Sequence, residues 1–254
     1  MSKETIYEIR VKGILDTRWS VVFAPLVLAS HQDETFITGA IHDQPELFGI
    51  LLKIRDMGLQ LISVTSKILQ PMPPFPVLTT ERLLLREFDL ADVPAVFDIL
   101  RREDVNKWLE TDPLQSIAET EARVQARMGL FKDKVGFRWA IVLRDDPAQV
   151  IGSCGYFSVR RGTQTVETGY EIHPDCWNKG FMTEALRAMI EFSVGAHNLL
   201  PVHRMEALVA PGNAASIRIL EKLGFDREGL RREFGFWKGR YQDVYLYAML
   251  NRKS

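Results

Sequence analysis

Cysteine is almost missing from this 254-residue chain, with Cys154 and Cys176 the only two. Two thiols cannot form a disulfide framework, and their separation fits no metal-ligand spacing, so a reducing, cytoplasmic setting is expected. The five histidines, His31, His42, His173, His197 and His203, are scattered without ligand spacing, and no metal site is expected. An excess of charge of either sign is also lacking: the formal net charge of -1 excludes a field that steers the whole molecule onto nucleic acid or an anionic membrane. Any anion site must therefore be local. No apolar run reaches the ~18 residues of a membrane span, and Met1 to Arg10 is charged and has no apolar core, so neither a membrane segment nor a secretion signal is expected.

What is present suits folded domains. Hydrophobic residues make up 46% and charged residues 26%, enough to bury a core and too apolar for disorder. The length suggests one ordinary domain and a small one. Gln70-Pro71-Met72-Pro73-Pro74-Phe75-Pro76 holds four prolines, which forbid regular structure and favour a semi-rigid connector. The expected division is therefore 1–68, a connector over 69–77, and 78–254.

In the first part, Thr5 to Val11 alternates apolar and polar residues like a strand with one wet face. Asp16 can cap a short helix through Trp19, Val22 and Phe23, which Pro25 stops. Leu26 to Ala29 and Thr35 to Ile41 read as a hairpin across His31-Gln32-Asp33-Glu34. After Asp43 comes helical spacing at Leu47, Phe48, Leu51, Ile54 and Arg55, closed by Gly58, and Leu59 to Val64 reads as a last strand. This βαββαβ order is that of a ferredoxin-like unit, small enough for docking or homodimerisation to be expected.

The second part reads as α+β. Leu83 to Arg86 is a strand, and Leu90 to Arg102 a helix opened by Asp89 or Asp92. A helix over Ser116 to Phe131 follows, then strands at Phe137 to Leu143 and Gln149 to Val159 about the turn Asp145-Asp146-Pro147. Strand Thr165 to Ile172, helix Met182 to Ala196, strand Arg204 to Val209 and helix Ala214 to Leu223 come next, with final strands near Arg231 to Trp237 and Asp243 to Met249. The order implies a mixed sheet flanked by helices.

The chemistry concentrates where the Thr165 to Ile172 strand turns into the next helix through His173-Pro174-Asp175-Cys176-Trp177-Asn178-Lys179-Gly180. A helix start carries unpaired N–H groups and the positive end of the dipole, so a loop wrapped into it can cradle a phosphate. Gly180 lets backbone approach a ligand without an intervening side chain. A second strand-to-helix passage, Asn213-Ala214-Ala215-Ser216 through Leu223-Gly224-Phe225, repeats the arrangement.

With Gly169-Tyr170, Trp177-x-Lys179-Gly180-x-x-Thr183-Glu184-Ala185, Asn213-x-x-Ser216 and Leu223-Gly224-Phe225 in this order, the chain resembles the GNAT N-acetyltransferase superfamily, in its RimJ/RimL-like branch. The likeness begins at Leu78-Thr79-Thr80-Glu81-Arg82 and extends to about Tyr247. It implies a mixed sheet in which adjacent parallel strands splay apart to admit acetyl-CoA as co-substrate, and an amine acceptor as partner. The loop Trp177, Asn178, Lys179, Gly180, Phe181, Met182 and Thr183 would bind the diphosphate through backbone amides. Ile172 would line the pantetheine arm with its backbone, Asn213 would hold that arm or a water, and Ser216 would sit near the thioester sulfur. The sequence departs from the family at Trp177 (usually Gln or Arg) and Met182 (usually Gly or Ala). The tyrosine that many relatives use to protonate the thiolate would fall at Leu220, which leaves Ser216 as its replacement.

Acetylating an amine needs a neutral nucleophile, an oxyanion donor and a proton for sulfur. An α-amine titrates near 7.7 to 8.0 and a lysine near 10.4, so the former is cheaper to deprotonate. Glu167 and Glu171 share parity with Gly169 and so one face of the strand. Glu167 is the general-base candidate, acting through water, beside the bland reading of both as solvated carboxylates. Asn213 and Ser216 have ordinary helix-start readings as well. Glu184 reads as structural, Cys176 as unneeded for direct transfer, and Arg231-Arg232 and Trp237 to Arg240 as candidates for the acceptor side or as solvated surface. Two functions stay open: an N-acetyltransferase acting on a protein α-amine or a small-molecule amine, and a catalytically silent acyl-CoA sensor coupled to the first domain.

Overall fold

The computed structural model describes residues 5–68, 73–195, 200 and 202–252. Backbone contacts divide the chain into two compact units, Met1–Pro73 and Pro74–Ser254. Of the expected connector, 69–72 lie outside the described residues, as do Ala196, the end of the expected third helix of the second part, and His197.

The first unit runs β1 (Thr5–Lys12), a 3-10 turn leading into α1 (Ser20–Phe23), β2 (Val27–His31), β3 (Glu34–Ile41), α2 (Gln44–Asp56) and β4 (Leu61–Ile68). Its antiparallel sheet has the order β2-β3-β1-β4. Asp43 caps α2 by accepting from the Glu46 N–H, and Gly58, at φ +68°, closes its far end. Two boundaries differ from the sequence reading. The hairpin turns on Gln32 and Asp33 alone, with Gln32 at φ +55°, so His31 and Glu34 pair as strand residues. The last strand begins at Leu61, because Leu59 N–H closes on the Ile54 carbonyl and the Gln60 carbonyl is taken by Lys12 N–H. Ile9, Val11, Phe23, Ile37 and Ile54 form its buried centre.

The second unit comprises β5 (Leu78–Thr79), β6 (Leu83–Arg86), α3 (Val93–Leu100), α4 (Glu103–Asn106), α5 (Ile117–Lys132), β7 (Phe137–Leu143), β8 (Val150–Arg160), β9 (Thr165–Ile172), α6 (Phe181–Ser193), β10 (Arg204–Val209), α7 (Ala214–Lys222), β11 (Asp226–Trp237) and β12 (Arg240–Leu250). Its sheet has the order β11-β12-β10-β9-β8-β7-β6-β5. Every neighbouring pair is antiparallel except β9 with β10. Asp89 and Asp92, which the sequence left as alternatives, act together in a capping box around the turn that opens α3. β11 starts five residues ahead of the expected Arg231, and α4 and β5 were not foreseen.

β7 is buried along nearly its whole length because both sheet faces are covered. One face carries Ala140, Val142 and Val150 against Val96, Ile99 and Val124 of α3 and α5. The other carries Trp139, Ile141, Val166, Met205 and Tyr247 against Leu186 and Met189 of α6 and Leu220 of α7. Phe75, from the end of the proline-rich stretch, packs edge-on to Phe131 and Trp139, and the Trp139 indole donates to the Pro76 carbonyl at 2.7 Å. That segment is thereby anchored in the second unit's core.

Candidate active site

The site is set by a failure of pairing. β9 and β10 pair at Thr165/Arg204, Val166/Met205 and Glu167/Glu206, and there the pairing ends. Beyond Glu167, β9 continues to Ile172 on β8 while β10 continues to Val209 on β12, so the two open a wedge between them. His173 N–H donates to Ile151 of β8. Backbone groups alternate from edge to edge along a strand, so those of Tyr170 and Ile172 face the wedge.

The wedge opens toward a loop shaped for anions. After Ile172 a 3-10 turn (Pro174–Cys176) leads to Trp177, then Asn178 at φ +58°, Lys179 and Gly180 at φ +80°, which is the N-cap of α6. The left-handed turn at Gly180 is available to glycine at little cost. Trp177 N–H is taken by the Pro174 carbonyl and Glu184 N–H by the Gly180 carbonyl, whereas the N–H groups of Asn178 through Thr183 have no protein partner among the described residues. Those amides include the positive end of a 13-residue helix.

A brace holds this loop from β5 and β6. Glu184 accepts from Thr80 Oγ1 at 2.6 Å and from Arg82 N–H at 2.9 Å, and pairs with the Arg82 guanidinium at 2.6 Å. Burial raises the Glu184 pKa, yet the Thr80 and Arg82 bonds outweigh it and hold the carboxyl below its usual range. Arg82 also donates to the Lys179 carbonyl at 3.0 Å and lies over the Phe181 ring. Glu184 is thus structural, as its position suggested.

At the apex of the wedge sits Glu167, half-buried beside Glu206 in register. Burial raises its pKa, and Glu110 and Glu206 add to the rise against Arg160 and Arg231. Glu206 itself is held ionised by Arg204 at 2.7 Å and by Arg160, so it presents a fixed negative charge to Glu167. A carboxylate whose pKa is lifted in this way is a better base than a solvated one. Glu110, Arg160 and Arg231 were not assigned to Glu167 from the sequence, because they come from separate segments.

Glu171, on the same face, is neither solvated nor available as a base. It is buried, pairs with Arg127 at 3.0 Å and with Arg138, and accepts a hydrogen bond from Ser153. Burial pushes its pKa up, but the two guanidinium charges and the Ser153 bond win and lower it. Arg138 also donates to the Gly169 carbonyl at 2.7 Å, which pins β9 beside the wedge. An arginine within the otherwise apolar run Phe137 to Leu143 was the sequence signal for such a network.

Other expected groups are placed as follows. The Ile172 carbonyl accepts the Trp177 indole N–H at 3.0 Å, so this carbonyl already has a partner. Asn213 caps α7 by accepting from Ser216 N–H at 3.2 Å. Leu220 is buried in the core, away from any role in proton transfer. Cys176 is half-buried and its thiol pKa is raised, mainly by burial, which disfavours a nucleophilic thiolate. Lys238, from the acceptor-side candidates, donates to the Asn106 carbonyl, while Phe234, Phe236 and Tyr241 are exposed on the β11–β12 hairpin. Among the described residues there is no group of three His, Cys, Asp or Glu side chains placed to hold a metal, and no helix long and apolar enough to cross a membrane.

Comparison with known proteins bears on this geometry. The family described as acetyltransferase (GNAT) domain matches residues 82–226, and a domain of unknown function (DUF8691) matches residues 6–65. The uncharacterized N-acetyltransferase YoaA of Bacillus subtilis is 31% identical over 180 residues, which cover 71% of this chain and 99% of that protein. The [ribosomal protein uS5]-alanine N-acetyltransferase of Escherichia coli is 29% identical over 179 residues, covering 68% of this chain and 89% of that protein. The crystal structure of a GNAT-family acetyltransferase from Bacillus anthracis superposes with a TM-score of 0.60 at 27% identity, covering 69% of this chain and 98% of that one. These proteins are named as transferases, and nothing in their names supports a silent sensor.

Proposed function

The chain belongs to the GNAT acetyltransferase family, and from that premise we propose that it moves an acetyl group from acetyl-CoA to a primary amine, with the α-amine of a protein as the favoured acceptor. One observation carries the reading: the β9–β10 wedge beyond Glu167/Glu206 opens onto the unpartnered amides of Asn178 through Thr183. The wedge suits an extended arm and the amides suit a diphosphate, so the protein groups fit acetyl-CoA.

In this arrangement Trp177, Asn178, Lys179, Gly180, Phe181, Met182 and Thr183 form the diphosphate loop, and the Ile172 and Tyr170 backbones line the arm. The Tyr170 N–H faces the wedge and supplies the donor for the thioester oxyanion. Glu167 takes the proton of the attacking amine, through water. Asn213 orients the start of α7, and Ser216 stands near the departing sulfur.

The preference for an α-amine follows from acid–base chemistry. A carboxylate, even one with a raised pKa, is a weak base, and an α-amine near pKa 8 loses its proton more readily than a lysine by about two and a half units. The uS5-alanine acetyltransferase among the relatives acts on such an amine by name. The test is thiol release from acetyl-CoA by the full chain with alanine- and serine-initiated peptides, internal-lysine peptides and small amines. Turnover greatest with the initiating amines is expected. Calorimetry showing no binding of coenzyme A, together with no thiol release for any acceptor, refutes the assignment.

A further inference from the structure

The hydroxyl of Tyr170 is buried. It is fully shielded from solvent and has no hydrogen-bond partner among the described residues, although burying a hydroxyl unpaired costs stability. Tyr170 lies on β9 in the unpaired stretch beside the wedge, one residue from Gly169, whose carbonyl Arg138 fixes. Its ring packs against the core cluster that also takes Ile217 of α7. Ser216 is the hydroxyl near enough to influence the phenol, yet the two do not meet in hydrogen-bonding geometry. Ser216 belongs to the first turn of α7, so the phenol lies beside the start of that helix.

We propose that Tyr170 is the catalytic acid of the transfer, delivering its phenolic proton to the departing thiolate with Ser216 alongside. The inference rests on the acetyl-transfer reading above and deepens it. As the amine nitrogen bonds to the carbonyl carbon, the C–S bond breaks and its electron pair leaves on sulfur. The Tyr170 O–H proton passes to that sulfur, giving a free thiol, and the proton shed by the nitrogen goes to Glu167. The phenolate regains a proton by way of Ser216 and solvent, and the net change is thioester plus amine to amide plus thiol. Burial keeps the phenol protonated by pushing its pKa up to about 12, against a smaller opposing effect of Ser216. The carbon skeleton at position 220 offers no proton, so an acid must come from elsewhere, and an orphaned O–H beside Ser216 meets that need.

The test is Tyr170→Phe in the full chain, assayed with an alanine-initiated peptide and two donors, acetyl-CoA and an acetyl thioester of an aryl thiol. An aryl thiolate leaves without needing a proton, so the variant should lose on the order of 10²-fold in kcat with acetyl-CoA and only a few-fold in rate with the aryl thioester. The Kd for coenzyme A and the KM for acetyl-CoA should stay within about two-fold, since phenylalanine keeps the ring packing. Equal losses with both donors, or no loss, overturns the role of Tyr170 while leaving acetyl transfer standing. A wild-type chain that binds no coenzyme A and releases no thiol removes both readings. As an independent check, Ser216→Ala combined with Tyr170→Phe should cost little more than Tyr170→Phe alone, and fully multiplicative losses would count against a shared proton path.

Discussion

Replacing Glu171 by glutamine should separate structure from chemistry on β9. The carboxylate faces Arg127 at 3.0 Å and Arg138 directly, and all three side chains are buried. Removing its charge strands two guanidinium groups out of water, and such a loss costs about 3–5 kcal/mol. For a folding unit of this size each kcal/mol moves Tm by roughly 2–4 °C, so a fall on the order of 10 °C is expected. The sign with pH is fixed as well. The folded-state pKa of Glu171 lies below its unfolded value, so its contribution is complete above the unfolded pKa of about 4.3 and is lost as pH falls through the folded value. The gap in Tm between wild type and Glu171→Gln should therefore be full at pH 7 and shrink below about pH 4. Thermal unfolding followed by circular dichroism reads both effects, and thiol release at 15 °C reads the chemistry. A variant that loses less than about 1 kcal/mol, or whose deficit is unchanged at low pH, refutes the account of Glu171 as the counter-ion of Arg127 and Arg138.

Glu167→Gln should lower kcat by about 10²- to 10⁴-fold with little change in Tm. Because burial, Glu110 and Glu206 raise the Glu167 pKa, activity should fall with decreasing pH above the ordinary carboxylate range, and Glu110→Gln should shift that acid limb to lower pH. Gly180→Val places a branched side chain at φ +80°, with its Cβ about 3.5 Å from Arg82; the loop should re-orient its amides and calorimetry should show coenzyme A binding weakened by roughly ten-fold. Asn213→Ala removes the cap on Ser216 N–H and should cost about 1 kcal/mol in thermal unfolding, with a larger relative loss in kcat than in coenzyme affinity.

The sequence reported local order well where period and punctuation agree. Phe137–Leu143, Thr165–Ile172 and Arg204–Val209 have the bounds expected of them, and Asp43 and Asp89 cap the turns they precede, while Ser116 is the cap and not the first residue of its helix. The cradle loop was legible for the same reason, since a strand, a glycine and a helix adjoin in the chain. What pairs across the sheet was not. Glu171 meets Arg138 at a separation of 33 residues and Ser153 at 18, and no local pattern distinguishes its carboxylate from a solvated one. Glu167 gained its neighbours Glu110, Arg160 and Arg231 only through tertiary folding. The hairpin at Gln32-Asp33 is tighter than its composition implies, because no glycine marks the turn and Gln32 takes the positive φ instead.

A strand released from one neighbour should lose its shape, and β9 does not. It keeps its ladder to β8 from Gly169 to Ile172, and a side chain takes over part of what β10 relinquishes. Arg138 grips the Gly169 carbonyl, and the Trp177 indole satisfies the wedge-facing carbonyl of Ile172. Trp177 thereby spans from the cradle loop back to the strand and ties the two together. The alternation along β9 then divides the work. Glu171 and Gly169 take the structural bonds on one side, while Tyr170 keeps an unpaired hydroxyl and a wedge-facing N–H. An unpaired group is costly inside a protein unless something else pairs it, and in the proposed reaction the Tyr170 hydroxyl finds its partner in the departing sulfur.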